Sequence, residues 1–178
     1  LRMSRGLGDV YKRQVGNGLT FPRNLVGWAE LHAGVTELAD EVAVRLRGHG
    51  LKCTTLQVTI RDPNFKDICR QKRLSAPTYV ARELSEVAME LIRAAWRENA
   101  PVRALTLTAQ ALVEEGEAGE QLDLFAAGAA PRRDKLEKLE KAMDGIRGKF
   151  GRDAIAPAST VHRDRAEVKA EQRLPPVD

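Results

Sequence analysis

Apolar positions change their spacing along this chain, and the changes mark out its elements. From about Trp28 to Gly48, Leu31, Val35, Leu38, Val42 and Leu46 recur at intervals of four, three, four and four. That spacing is one face of an α-helix, and Gly48 and Gly50 stop it. Thr54 to Arg61 alternates instead, with Leu56, Val58 and Ile60 on one side and Thr55, Gln57, Thr59 and Arg61 on the other, as a strand requires. Asp62-Pro63-Asn64 signals a turn, and Lys66 to Leu74 reads as the returning strand. Ser75-Ala76-Pro77-Thr78 predicts the opening of a second helix, whose buried stripe would be Leu84, Val87, Ala88, Leu91, Ile92 and Ala95; Pro101 lies just past its end. Val102 to about Val113 alternates again, Leu105, Leu107 and Ala109 against Thr106, Thr108 and Gln110.

Upstream, Val15 to Phe21 is short and Gly-rich, and Pro22 restricts pairing, so it reads as an edge strand or extended segment. The order β-α-β-β-α-β over residues 15–113 predicts an α+β domain, a four-stranded sheet with two helices on one face. After Val113 the composition shifts. Residues 114–133 read as a linker around an apolar island, Gln121 to Phe125. In the segment 134–155, Leu136, Leu139, Met143, Ile146 and Phe150 space out a short amphipathic helix, expected to dock within the parent chain. Residues 156–178 lack periodicity and read as a flexible, disordered tail. Residues 1–14 show no periodicity either. They resemble a translated adaptor junction, which would make the chain a truncated piece; the alternative is a disordered natural N-terminus.

Composition narrows the function more than the fold. The 178 residues allow one ordinary domain plus appendages at roughly 150 residues per domain. Two cysteines cannot build a disulfide scaffold or a four-cysteine zinc site. No run approaches the roughly 20 apolar residues of a membrane span, and no secretory signal is visible, so a cytoplasmic protein is expected. The formal net charge is +4, unevenly spread. Residues 51–74 hold six basic side chains (Lys52, Arg61, Lys66, Arg70, Lys72, Arg73) against two acidic ones (Asp62, Asp67). That local excess points to a polyanionic partner.

Catalysis finds little support. His32, His49 and His162 fall on a helix, a turn and a tail, without ligand-type spacing to Cys53 or Cys69, so no metal site is expected. Both cysteines read as small strand residues, and no phosphate-cradling glycine loop followed by Lys-Ser/Thr appears. The sheet face opposite the helices is more informative. It would present Thr55, Gln57, Thr59, Arg61, Thr106, Thr108 and Gln110, bordered by Lys66, Arg70, Lys72 and Arg73. Without aromatic rings it cannot stack bases as single-stranded RNA readers do. Hydroxyls, amides and cations suit phosphate oxygens, although a half-solvated sheet with ordinary surface charges fits the same pattern.

Three stretches carry a resemblance. Val15-Gly16-Asn17-Gly18-Leu19-Thr20-Phe21, the Arg61-x-x-x-Phe65 turn and Pro101-Val102-Arg103-Ala104-Leu105 resemble the little-finger domain of Y-family DNA polymerases, most closely the bacterial DNA polymerase IV branch. The resemblance implies a βαββαβ domain, tethered after palm, fingers and thumb, that lays its sheet in the major groove of primer–template DNA. It implies phosphate contacts from Gly16, Asn17, Gly18 and Thr20, with Arg23 nearby, and a backbone track along Arg61, Lys66, Arg70, Lys72 and Arg73. Family members usually carry a serine where this chain has Gln14. The two Mg²⁺ of the intact polymerase are held by palm carboxylates, which nothing here supplies; the fragment itself implies no cofactor and no reaction.

Gln121-Leu122-Asp123-Leu124-Phe125 is similar to the sliding-clamp-binding pentapeptide of bacteria. In such a peptide a glutamine amide meets polar groups while the leucine and phenylalanine fill an apolar pocket; the plainer alternative is a short helix packed on its own domain. Together these readings lead to a monomeric, DNA-gripping C-terminal piece of an error-prone translesion polymerase of the SOS response, tethered to the clamp. Two rivals remain open: a non-catalytic polymerase-like accessory protein of SOS mutagenesis, and a standalone ferredoxin-like nucleic-acid or protein-interaction module.

Overall fold

The two periodicities assemble into one sheet and one helical layer. A computed structural model describes residues 14–116, 130–151 and 154–155. Its elements are β1 (Gln14–Leu25), α1 (Trp28–Gly48), β2 (Leu51–Arg61), β3 (Asp67–Thr78), α2 (Ala81–Ala95), β4 (Val102–Glu114) and α3 (Ala130–Phe150). The sheet order is β1-β4-β2-β3, and every neighbouring pair is antiparallel. Each helical crossover therefore joins two strands that run the same way on either side of a third: α1 carries β1 past β4 to β2, and α2 carries β3 past β2 to β4. The expected α+β, βαββαβ architecture is the one observed.

The alternation in β2 and β4 builds the core. Leu56, Val58 and Ile60 of β2 and Leu105, Leu107 and Ala109 of β4 are buried beneath Leu31, Val35, Leu38, Val42 and Leu46 of α1. Gly50 ends α1 because its φ of +65° lies where a Cβ is disfavoured. Three expectations are corrected. Ser75 to Thr78 does not open α2 but extends β3, and the helix begins at Ala81. Pro77 is tolerated there because β3 is an edge strand whose register against β2 shifts between Cys53 and Thr55. The buried stripe of α2 is Leu84, Ser85, Ala88, Met89 and Ile92, with Val87 and Leu91 at its margin, because α1 covers one flank and the Ser85 hydroxyl lies 3.4 Å from that of Thr36.

The third correction concerns α3. Its apolar stripe does not form the contact: Leu136 packs on the core, but Leu139 is 56 % and Phe150 75 % exposed. The docked face is ionic. Glu140 and Asp144 pair with Arg47, Glu137 with Lys52 at 2.8 Å, Arg133 with Glu83 at 2.7 Å, Lys141 with Glu115 at 2.7 Å and Arg147 with Asp40 at 2.8 Å. The α2 N-terminus has no side-chain cap of its own, and Glu140 accepts the Ala81 backbone N–H at 2.7 Å. A carboxylate from another helix thus satisfies one of the donors that a helix start leaves unpaired. The opening residues before Gln14, the Gln121–Phe125 motif and the 156–178 tail lie outside the described residues.

Candidate nucleic-acid interface

Directly opposed residues of an antiparallel sheet share a face, so the pairing register defines the surface that the helices leave open. Four ranks cross it from β1 through β4 and β2 to β3. They are Gln14–Gln110–Thr55–Arg73, Gly16–Thr108–Gln57–Gln71, Gly18–Thr106–Thr59–Cys69 and Thr20–Ala104–Arg61–Asp67. Hydroxyls, amides and glycines dominate, and none of the sixteen positions carries a ring. Gln110 donates to Gln57 across two strands at 2.7 Å, which aligns the amides in the middle of the face.

The two glycines are there for space. A Cβ on Gly18 would stand 2.8 Å from the Thr106 hydroxyl oxygen, and one on Gly16 3.1 Å from that of Thr108. Both threonines lean over β1, an edge strand whose outer row of backbone groups has no ladder partner among the described residues. Behind it Arg45 of α1 donates to the Gly16 carbonyl at 2.8 Å and to the Asn17 side chain at 3.4 Å. A hollow of about 200 Å³ crosses the four strands at the hairpin end of the face, bounded by Gly18, Thr20, Thr59, Arg61, Asp67 and Thr106.

The structure separates the residues that the sequence grouped. Gly16, Gly18, Thr20, Arg61 and Arg73 lie on the open face, whereas Asn17 opposes Leu107 on the helix side. Arg70 and Lys72 oppose Val58 and Leu56, so they also belong to the helix side of β3. There Arg70 donates to the Cys69 carbonyl at 2.7 Å and Lys72 pairs with Glu90 of α2 at 2.6 Å. Lys66 is exposed at the hairpin turn, its N–H bonded to Asp62 at 2.9 Å. Arg23 sits beyond the regular pairing of β1 and holds Glu30 through two hydrogen bonds of 2.9 and 2.6 Å. Arg61 holds Asp67 in the same two-pronged way, at 2.7 and 2.8 Å. The hydrogen bond from that guanidinium keeps the Asp67 carboxyl below the usual range.

The local positive excess is therefore divided between the two sides of an edge strand. Gln14, Cys69 and Gln71 escaped the sequence reading of this face. Carrying the β2 alternation across the hairpin would have found the latter two, but only with the register known. Among the described residues no group of three or more His, Cys, Asp or Glu side chains is placed to hold a metal ion. Burial pushes the Cys53 thiol up to about 12, which removes it as a nucleophile. Nor is any described helix long and apolar enough to cross a membrane.

Comparison with known proteins gives the family. Residues 12–124 match the family described as "impB/mucB/samB family C-terminal domain". The chain belongs to this family. Its relatives include DNA polymerase IV of Acetivibrio thermocellus, 34% identical over 143 residues that make up 80% of this chain and 35% of that one. DNA polymerase IV of Oceanobacillus iheyensis is 35% identical over 143 residues, 80% of this chain and 33% of that one. The chain thus spans about a third of the length of these relatives. In solved structures the fold recurs in a Y-family DNA polymerase chimera of Dbh and Dpo4 (TM-score 0.50, 13% identity, 57% of this chain and 29% of that one). It recurs equally in an insertion ternary complex of Dbh DNA polymerase (TM-score 0.50, 14% identity, 57% and 29%). The family's C-terminal domain therefore covers β1 to β4 and all four ranks of the open face, while α3 lies beyond the matched residues.

Proposed function

We propose that this chain is the DNA-gripping domain of a bacterial Y-family translesion polymerase of the SOS response, working in the cytoplasm as a monomer and tethered to the sliding clamp through Gln121–Phe125. The observation that carries the reading is the ring-free open face: ranks of hydroxyls and amides beside the edge strand β1, in a family whose matched relatives are named DNA polymerase IV. Such groups bond phosphate oxygens and fix a duplex in position without reading its sequence. A polymerase that must advance over any template needs that property. Nucleotide addition with two Mg²⁺ would belong to the part of the polymerase outside this chain.

Two outcomes test the grip. The chain binds primer–template DNA of any sequence, and its binding constant falls as salt rises, with a log–log slope of about −0.9 per phosphate neutralised. Fluorescence anisotropy at several salt concentrations measures this, and salt-independent or sequence-selective binding would sink the reading. Gly18→Val places a branched side chain against Thr106 and over the hollow. Losing one or two bonds to a charged phosphate weakens DNA binding by roughly tenfold, while thermal melting still reports a folded domain. Unchanged affinity would remove β1 from the interface.

A further inference from the structure

Phe65, at the tip of the β2–β3 hairpin, is held in an unfavourable place for a folded chain's own benefit. It is 76 % exposed, the most exposed large apolar side chain among the described residues. Its φ is +61°, in the left-handed region where a Cβ is penalised and glycine or asparagine is normally found. The loop around it is tightly determined: the Asp62 N–H bonds the Lys66 carbonyl at 3.0 Å, the Phe65 N–H bonds the Asp62 carbonyl at 3.1 Å, and the Asp62 carboxylate accepts the Lys66 N–H at 2.9 Å. Folding thus spends backbone strain on a ring that it does not bury. Strained backbone that its surroundings over-determine clusters at ligand-binding sites, which points to a contact this ring makes on binding.

Its position says what that contact is. Phe65 follows directly on the last rank of the open face, Thr20–Ala104–Arg61–Asp67, and precedes the exposed cation Lys66. The face itself carries no ring, which suits a duplex, whose bases are covered above and below by their neighbours. An aromatic ring stacks on a base without unstacking and kinking the duplex only where the stack ends. From a ring-free duplex track with one ring just past its end, we propose that Phe65 stacks on an unpaired template base beyond the duplex end, with Lys66 on the adjacent phosphate. The inference rests on the DNA-gripping reading.

The test compares, for the 178-residue chain, a blunt duplex with the same duplex carrying a short unpaired 5′ template overhang that contains 2-aminopurine. The wild-type chain binds the overhang substrate about fivefold to tenfold tighter and quenches the 2-aminopurine. Phe65→Leu, apolar but without a ring, abolishes both the preference and the quench and leaves blunt-duplex affinity unchanged; Phe65→Trp restores them. Equal wild-type affinity for the two DNAs, or a preference that survives in Phe65→Leu, overturns the stacking role while the duplex grip stands. Loss of affinity for both DNAs in Phe65→Leu overturns it too, by making the ring part of the duplex track. Binding to neither DNA by the wild-type chain removes both readings together.

Discussion

Replacing Arg47 by methionine releases α3 and leaves the sheet and its two covering helices folded. The Arg47 side chain is only 5 % exposed, and it donates to Glu140, to Asp144 at 2.5 and 2.9 Å and to the Tyr79 carbonyl at 3.2 Å. Methionine keeps the aliphatic stem but strands two carboxylates at a largely buried contact. Leaving one partner of a buried ion pair uncompensated costs about 3–5 kcal/mol. Against that, α3 sets little apolar contact, since Leu136 is packed while Leu139, Ile146 and Phe150 face solvent. The cheaper outcome is for the helix to leave and for water to take up the charges.

Hydrogen exchange over residues 130–150 should then rise about 100-fold or more, with the α2 start at Ala81 also less protected once Glu140 no longer caps it. The strands and α1 should exchange as before, and unaltered protection of α3 would show that packing rather than charge holds it. Acid should loosen the same contact. At Glu83 burial is the largest single influence and opposes the charge, but the Arg133 and Thr78 hydrogen bonds and the Arg133 and Lys52 charges together outweigh it, and at Glu115 the Lys141 bond is the main influence; both carboxyls lie below their ordinary value. A depressed carboxyl contributes stability that is present above its unfolded value and lost as pH falls. Burial raises Glu140, which pulls the other way.

Exchanging both Leu124 and Phe125 for alanine should abolish capture of this chain by a bacterial sliding clamp. The motif joins the domain by sequence alone, between the end of β4 and the start of α3. Burying a leucine and a phenylalanine is worth about 1.5–3 kcal/mol each. A short peptide has few other contacts, so their joint loss removes two orders of magnitude or more in affinity. Calorimetric titration of clamp with the wild-type and doubly substituted chains reads this directly, while DNA binding by the open face stays unchanged in both. Retention of the doubly substituted chain would dismiss the motif as a chance match.

Spacing along the chain was enough for the order and type of the elements, though not for where β3 ends and α2 begins, and for which side of β2 and β4 faces the helices. Leu56/Val58/Ile60 and Leu105/Leu107/Ala109 alternate with polar residues, and burying apolar area is the dominant driving force, so the pattern has one solution. The family likeness was equally visible, in the Gly-x-Gly-x-Thr-Phe opening and the basic hairpin. Orientation within β3 was not. All its residues from Cys69 to Arg73 are exposed, so no hydrophobic contrast marks a face, and only the hairpin register assigns Arg73 to the open surface and Arg70 and Lys72 to the other. The ionic docking of α3 was hidden for a related reason. Periodicity reports where apolar side chains recur, whereas Arg47 meets Glu140, and Lys52 meets Glu137, across more than 80 residues of chain. Charges buried in pairs stand out only when their partners are brought together, because each alone looks like an ordinary solvated surface residue.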